Sequence, residues 1–161
     1  MNENKMYTLS EAHKQLAITT NGLVWQLLEK KERSESEDGL MIHASHASCY
    51  HWLQVGTELH HQRAQWLLSH VYCELGIAVA ALRHAVRCMD LTKENMELMQ
   101  DFDHAYAFEA LARSYALGGQ QEDSLFFQQK AEEAALKIQD EEDRTIFLSD
   151  FNGGNWYGLR G

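Results

Sequence analysis

The sequence contains no proline, although proline makes up about 5% of residues in average proteins. It has only 10 glycines and 3 cysteines in 161 residues. Without proline, this little glycine cannot supply the turns of a many-stranded sheet, so we expect helices joined by short connections. Three widely spaced cysteines exclude a disulfide framework, and they favour a reducing cytoplasm with the thiols as small core residues.

Positive charge is also scarce, because 14 lysines and arginines face 24 acidic residues, which gives a net charge of −10. An acidic surface repels phosphate backbones and anionic lipid headgroups, so we expect neither nucleic acid nor membrane as a partner. The longest aliphatic run, Ile77 to Leu82, is too short to span a bilayer. The polar N-terminal residues do not have the pattern of a signal peptide.

Apolar periodicity predicts about six helices plus a short C-terminal one. The first helical pattern begins at Leu9 and continues through the turn-like Asn21-Gly22, and a polar segment over 34–39 follows it. Gly56 is expected to end the second helix. The tail over 150–161 has no periodicity and is either frayed or docked on the helices. The predicted helices cover residues 10–33, 40–55, 57–75, 77–93, 101–117, 121–139 and 141–149.

Residues 57–93 and 101–139 form an internal repeat with a constant offset of 43. Each half has a large apolar residue, a small residue, a tyrosine, a turn glycine and a second small residue. Together these residue types let two helices approach each other as an antiparallel hairpin. The matched positions are Leu68 with Leu111, Ser69 with Ala112, Tyr72 with Tyr115, Gly76 with Gly119, Ala81 with Ser124, Leu82 with Leu125 and Cys88 with Ala131.

This pattern resembles the tetratricopeptide-repeat family of helical hairpins over about residues 60–135. It departs from the family in its longer offset, against about 34 residues, and in its missing closing proline. The resemblance implies an all-α superhelix of stacked antiparallel hairpins in one domain, with residues 9–56 as a degenerate first pair. It also implies a non-enzymatic module for protein or peptide interaction. The wider sequence, including 43–48 and 101–103, is similar to a group of bacterial proteins of this architecture.

In that family, the first helix of each hairpin lines a concave groove with side chains opposite its apolar stripe. Trp66 beside Arg63 and His70 has the composition of a binding hot spot, in which the arginine grips a carboxylate. Alternatively, Trp66 packs under the long first helix, which then closes the groove. A short stack also leaves an apolar end that a second copy can cover, so we expect a homo-oligomer, such as a homodimer. The binding surface implied position by position is Arg63, Trp66, His70, Cys73, Tyr106, Glu109 and Arg113.

Histidine is abundant, with 9 in the chain and a concentration between residues 43 and 61. The helical period places His43 and His46 in one polar seam of the second helix, which we expect to be buried nearly all round. Such a seam needs partners. The histidines either bond backbone and hydroxyl groups or, with His51 and Asp101 or Asp103, form a metal site or a small active site. Since no recognised ligand or catalytic motif is present, we expect no cofactor and no catalytic residue.

Overall fold

The computed structural model describes residues 4–160. Within this range the chain forms seven α-helices, a 3₁₀ turn over Met96–Leu98 and no strand, which confirms the all-α prediction. None of these helices combines the length and the apolar character needed to cross a bilayer. The helices are α1 (Leu9–Leu28), α2 (Glu35–Val55), α3 (Glu58–Glu74), α4 (Ala78–Glu94), α5 (Asp101–Leu117), α6 (Gln121–Ala135) and α7 (Glu141–Asn152).

Capping boxes fix the beginnings of α1 and α2. At α1, the Thr8 hydroxyl accepts a hydrogen bond from the Glu11 backbone N–H, and the Glu11 carboxylate accepts one from the Thr8 N–H. Ser34 and Glu37 repeat the same reciprocal pair at α2. Each box satisfies backbone donors that a helix start otherwise leaves without partners.

Four predicted helix limits are wrong by three residues or more. α7 ends at Asn152 and not at residue 149, so it includes the first residues of the predicted tail. α1 ends at Leu28 and not at residue 33, and α6 ends at Ala135 and not at residue 139, because i−3 backbone hydrogen bonds tighten the chain after both helices. α2 begins at Glu35 and not at residue 40. The polar segment that the sequence analysis interprets as a break is the capped first turn of α2, where acidic residues favour the positive end of the helix dipole.

The helices pair in chain order as α1 with α2, α3 with α4 and α5 with α6. Gly76 and Gly119, with φ of 72° and 73°, make the turns of the last two pairs in the left-handed region that suits glycine. α3 also packs on α2 and α5, and α4 packs on α5. The hairpins expected over 57–93 and 101–139 are therefore present and lie next to each other.

Small residues of the repeat are buried between helices, as predicted. Ser69 on α3 lies against Ser114 on α5, with 3.2 Å between the two hydroxyl oxygens. The Ser124 hydroxyl donates to the Ala112 carbonyl at 2.9 Å, from α6 to α5. Neither contact leaves room for a larger side chain, so these positions set how closely the helices approach.

α7 and the tail cover the C-terminal end of the stack. Phe147, Phe151 and Trp156 are buried in one apolar cluster with α5 and α6. The indole N–H of Trp156 donates to the Phe151 carbonyl at 2.9 Å, and the Tyr157 hydroxyl donates to the Cys73 carbonyl on α3 at 2.7 Å. Of the two alternatives left open for the tail, docking is the correct one for the residues up to 160.

Candidate functional site

Four aromatic rings meet where α1, α3 and α5 face one another. Trp25 on α1 lies over Trp66 on α3, with ring centroids 6.1 Å apart and an interplanar angle of 20°. His70 stacks on the same indole at 5.0 Å, and Tyr106 on α5 meets it edge-on at 5.4 Å. Trp25 remains 40% exposed. We call Trp25, Trp66, His70 and Tyr106 the aromatic surface, which offers a large contact area with little freedom to lose on binding.

Two adjacent cavities flank the aromatic surface. The first cavity, of about 330 Å³, extends to Gln62, Arg63 and Phe102. The second cavity, of about 290 Å³, extends to Glu74, Glu109 and Arg113. Asp150 of α7 lines both, as do Trp25, Trp66 and Tyr106. Volumes of this size lie near the lower end of the range for small-ligand sites, and they suit single side chains of a partner.

A buried polar network fixes Trp66 from below. The Glu109 carboxylate accepts hydrogen bonds from the Trp66 indole N–H at 3.1 Å and from Arg113 Nε at 2.6 Å. Arg113 also donates to the backbone carbonyls of residues 150, 153 and 155, at 3.1 to 3.2 Å. Its guanidinium lies 4.1 Å from the ring centroid of Trp156. This network joins the floor of the second cavity to the docked tail.

A second ion pair forms the wall of the first cavity. Arg63 donates from Nε and Nη2 to the two carboxylate oxygens of Asp103, at 2.9 and 3.0 Å. Asp103 is buried and also accepts from the backbone N–H of Gln100 at 2.9 Å. The Arg63 guanidinium lies 5.3 Å from the ring centroid of Phe102. Both arginines of the site are thus held by carboxylates of this chain, whereas the sequence analysis expects an arginine that grips a partner's carboxylate.

Tyr106 and Asp150 connect α5 to α7 at the mouth of both cavities. The Tyr106 hydroxyl donates to Asp150 Oδ2 at 2.5 Å. Burial and the nearby carboxylate raise the pKa of Tyr106, so the phenol remains a proton donor. Asp150 itself is exposed and lines both cavities with the tryptophans, which places a carboxylate next to an aromatic wall.

The structure brings most of the predicted binding residues to this one site. Cys73 is the exception: it is buried with its sulfur 3.7 Å from the Ser114 hydroxyl, and burial raises its thiol pKa to about 12. Trp66 combines both alternatives, since it is half-buried beneath Trp25 of the first helix and still lines two cavities. The predicted residues that line one cavity or both are Arg63, Trp66, His70, Tyr106, Glu109 and Arg113.

Sequence reasoning missed Trp25, Gln62, Phe102 and Asp150. A signal existed for Trp25, because a tryptophan outside the apolar stripe of an amphipathic helix is an exposed large apolar residue that needs an explanation. Asp150 gave no such signal, because it reaches the site only through the packing of α7 on α5. Gln62 looks like any polar residue of α3 until its burial is known.

The histidine seam of α2 faces solvent, so the expectation that this helix is buried nearly all round is wrong. His43 and His46 are exposed. The His46 ring shares a hydrogen bond of 2.8 Å with the Tyr72 hydroxyl on α3. The Nδ1 atoms of His51 and of His13 on α1 share another of 2.8 Å. These bonds tie α2 to its two neighbours.

The metal candidates of the sequence analysis are not brought together. His46 and His51 bond to other helices, and Asp103 is paired with Arg63. Asp101 accepts hydrogen bonds from the backbone N–H groups of residues 102 and 139. Across residues 4–160, no group of three or more histidine, cysteine or acidic side chains is placed to hold a metal ion. The described residues therefore give no support to the alternative of a metal site built on His43, His46 and His51.

Comparison of the chain with protein-family models, curated proteins and solved structures finds no match. Its function is therefore inferred from the site itself.

Proposed function

We propose that this protein is a non-enzymatic, tetratricopeptide-like interaction module that binds a peptide segment of a partner protein across the aromatic surface. The observation that carries the proposal is the pair of half-open cavities on either side of Trp25 and Trp66. An extended peptide can place one side chain in each cavity while its backbone crosses the indole rings. Large rigid rings of this kind supply most of the affinity in many interfaces.

The rigidity of the site supports this proposal. The Glu109 carboxylate holds the Trp66 indole N–H, and His70 and Tyr106 pack against the same ring. A side chain that is already fixed loses little entropy when a partner covers it. Trp25 is the more exposed of the two indoles and provides the surface that a partner would bury.

The cysteines support a binding role over nucleophilic catalysis. Burial raises the pKa of the Cys49 and Cys88 thiols, as it does for Cys73. A buried thiol that holds its proton is a poor nucleophile. All three cysteines are unpaired and buried, which fits the reducing cytoplasm that we propose as the location.

We also propose that the protein self-associates, but through a different surface from the apolar end of the stack. The C-terminal end of the stack is covered by α7 and the tail, so it is not the apolar end that the sequence analysis expects. One face of α1 does expose large apolar side chains, since Leu9 and Leu16 lie seven residues apart and are both exposed. We therefore propose α1 as the face that a second copy would cover.

The proposed function predicts that Trp25→Ala weakens peptide binding while the fold persists. Wild-type protein, used to select from a phage-displayed library of random peptides, should enrich a sequence family. Trp25→Ala should weaken binding of that family by roughly 30-fold, equivalent to about 2 kcal/mol. Circular dichroism should show unchanged helix content, because Trp25 is half exposed.

Trp52→Ala is the matched control, since Trp52 also stacks on a histidine, His60 at 4.3 Å, but lines neither of the two cavities. It should leave peptide affinity within about twofold of the wild type, because it removes no contact with the aromatic surface. Failure to enrich any sequence family, or equal enrichment by Trp25→Ala, would contradict the proposed function.

A further inference from the structure

One residue that lines the first cavity, Gln62, has a side-chain oxygen that accepts no hydrogen bond. Gln62 is 1% exposed, and its Nε2 donates to the Thr92 hydroxyl at 3.1 Å and to the Asp103 carbonyl at 3.4 Å. Its Oε1 is the only buried side-chain oxygen or nitrogen among residues 4–160 that has no hydrogen-bond partner. Gln62 is one of the residues that line the first cavity, and a buried acceptor without a partner favours a ligand that brings an N–H donor.

The charge around this cavity is negative. Its charged lining residues are Arg63, Asp103 and Asp150, which leaves one net negative charge. Arg63 is already bound through two hydrogen bonds to Asp103, so an incoming anion would have to compete with a buried carboxylate. Within the residues that the structure describes, the Asp150 carboxylate is in no ion pair and accepts only from the Tyr106 hydroxyl, while the Asp150 backbone carbonyl accepts from Arg113.

The second cavity extends the same negative field. Glu74, Glu109 and Asp150 face a single guanidinium there, that of Arg113, which Glu109 and the tail carbonyls already hold. Glu74 is exposed, and it takes part in none of the ion pairs found within residues 4–160. A cation that approaches the aromatic surface therefore meets a favourable potential from both sides.

We propose that the first cavity binds an arginine side chain of the partner peptide. The inference rests on the proposed function and names the chemistry of its ligand. A guanidinium is a planar cation with five N–H donors, which can stack on an indole, pair with Asp150 and donate to Gln62 Oε1. A carboxylate or phosphate meets the net negative charge of the lining there, and an aliphatic side chain leaves Gln62 Oε1 without its bond.

Isothermal titration calorimetry with four matched peptides tests this assignment. The peptides are acetyl-Gly-Gly-X-Gly-Gly-amide, with X as arginine, citrulline, leucine or glutamate. Citrulline keeps the shape and several N–H donors of arginine but has no charge. We expect the arginine peptide to bind about tenfold more tightly than the citrulline peptide, and the leucine and glutamate peptides to bind more weakly still.

Two variants separate a local effect from the general charge of −10. Asp150→Asn keeps an acceptor for Tyr106 and should reduce the preference for arginine over citrulline to about twofold. Glu142→Gln makes the same change in net charge on an exposed position of α7 outside both cavities, and it should leave the preference unchanged. Equal loss in both variants would overturn the assignment, because it would show a non-specific attraction.

The remaining outcomes distinguish this inference from the proposed function. Tighter binding of the leucine or glutamate peptide, with loss in Trp25→Ala, would overturn the arginine assignment and leave the peptide-binding function in place. Equal affinity for N-acetylargininamide and for the arginine peptide would overturn a peptide as the source of the guanidinium. If none of the four peptides binds and the random library yields no family, both proposals fall.

Discussion

Arg113 carries the charge that holds the C-terminal part of the molecule in place. It is 6% exposed, and its guanidinium bonds to Glu109 on its own helix and to three carbonyls beyond it. The face of Trp156 completes its surroundings. Because the guanidinium satisfies acceptors on two separate segments, its loss affects more than one ion pair.

Arg113→Met should therefore lower the free energy of unfolding by about 3 to 5 kcal/mol, since it leaves Glu109 as a buried, uncompensated charge. Urea denaturation followed by circular dichroism measures the loss, and hydrogen exchange should show the amides of residues 153–160 opening first. Arg87→Met is the control, because Arg87 is exposed and 3.8 Å from an exposed carboxylate of Glu94. That change should cost less than about 1 kcal/mol, and a similar cost for both would contradict this role of Arg113.

The position of Arg113 on its helix was predictable from the sequence, but its burial was not. Helical periodicity correctly places Arg113 on the face of α5 that carries Tyr106 and Glu109. It does not show what covers that face, because the covering tail has no period and docks through a tryptophan, backbone carbonyls and Tyr157. A predicted surface arginine is for this reason a buried one.

The turn between α5 and α6 contains two adjacent glycines that look alike in the sequence but differ in backbone conformation. Gly118 has φ of −75°, which any residue can adopt, whereas Gly119 has φ of 73°. A Cβ on Gly119 meets no atom within 4 Å, so only its backbone conformation resists substitution. The nearest atom to a Cβ on Gly118 is a side-chain oxygen of Gln120 at 3.4 Å, an ordinary contact.

Gly119→Ala should cost about 1 to 2 kcal/mol of folding free energy, because an L-residue in the left-handed region is strained. Gly118→Ala should be neutral within about 0.5 kcal/mol or slightly stabilising, since it lowers the entropy of the unfolded chain. Thermal denaturation of both variants under identical conditions makes the comparison. A greater loss for Gly118→Ala would show that crowding and not φ controls this turn.

Element limits were less predictable than element identity. All seven helices were predicted from the sequence, and hydrophobic spacing indicates several of them, because a sequence that buries one side of a helix repeats its apolar residues at the helical period. The ends depend on backbone hydrogen bonds instead. The Ser34 and Glu37 capping box was visible in the sequence, yet the acidic run around it looked like a break between helices.

In the molecule as a whole, the stacking of adjacent hairpins was predictable, because the repeat specifies small residues where helices meet. The packing of α1 and α7 against these hairpins was not predictable. α1 places Trp25 over Trp66, and α7 places Asp150 beside Tyr106, which creates the site between parts of the chain that share no sequence pattern. The site thus takes two of its lining residues, Trp25 and Asp150, from helices outside the repeat.

A histidine cluster also connects three helices on another side of the stack. His84 on α4 hydrogen-bonds through Nδ1 to Gln65 of α3 at 2.7 Å and stacks on Tyr72, while its ring lies 5.6 Å from that of His46 on α2. Burial, then His46 and Arg83, lower the pKa of His84 from 6.5 to about 4. Burial and His43 lower the pKa of His46 as well.

These shifts predict that acid destabilises the whole fold through His84. Above pH 6.5 the ring is neutral in both states and contributes nothing; as the pH falls towards about 4, the unfolded chain binds a proton that the folded chain does not. The free energy of unfolding should drop by about 1 to 2 kcal/mol over this window, since the ring is partly exposed and solvent screens its charge. Urea midpoints across the window measure the slope. His84→Gln keeps a donor for Gln65 and should flatten it, whereas an unchanged slope would place the acid sensitivity elsewhere.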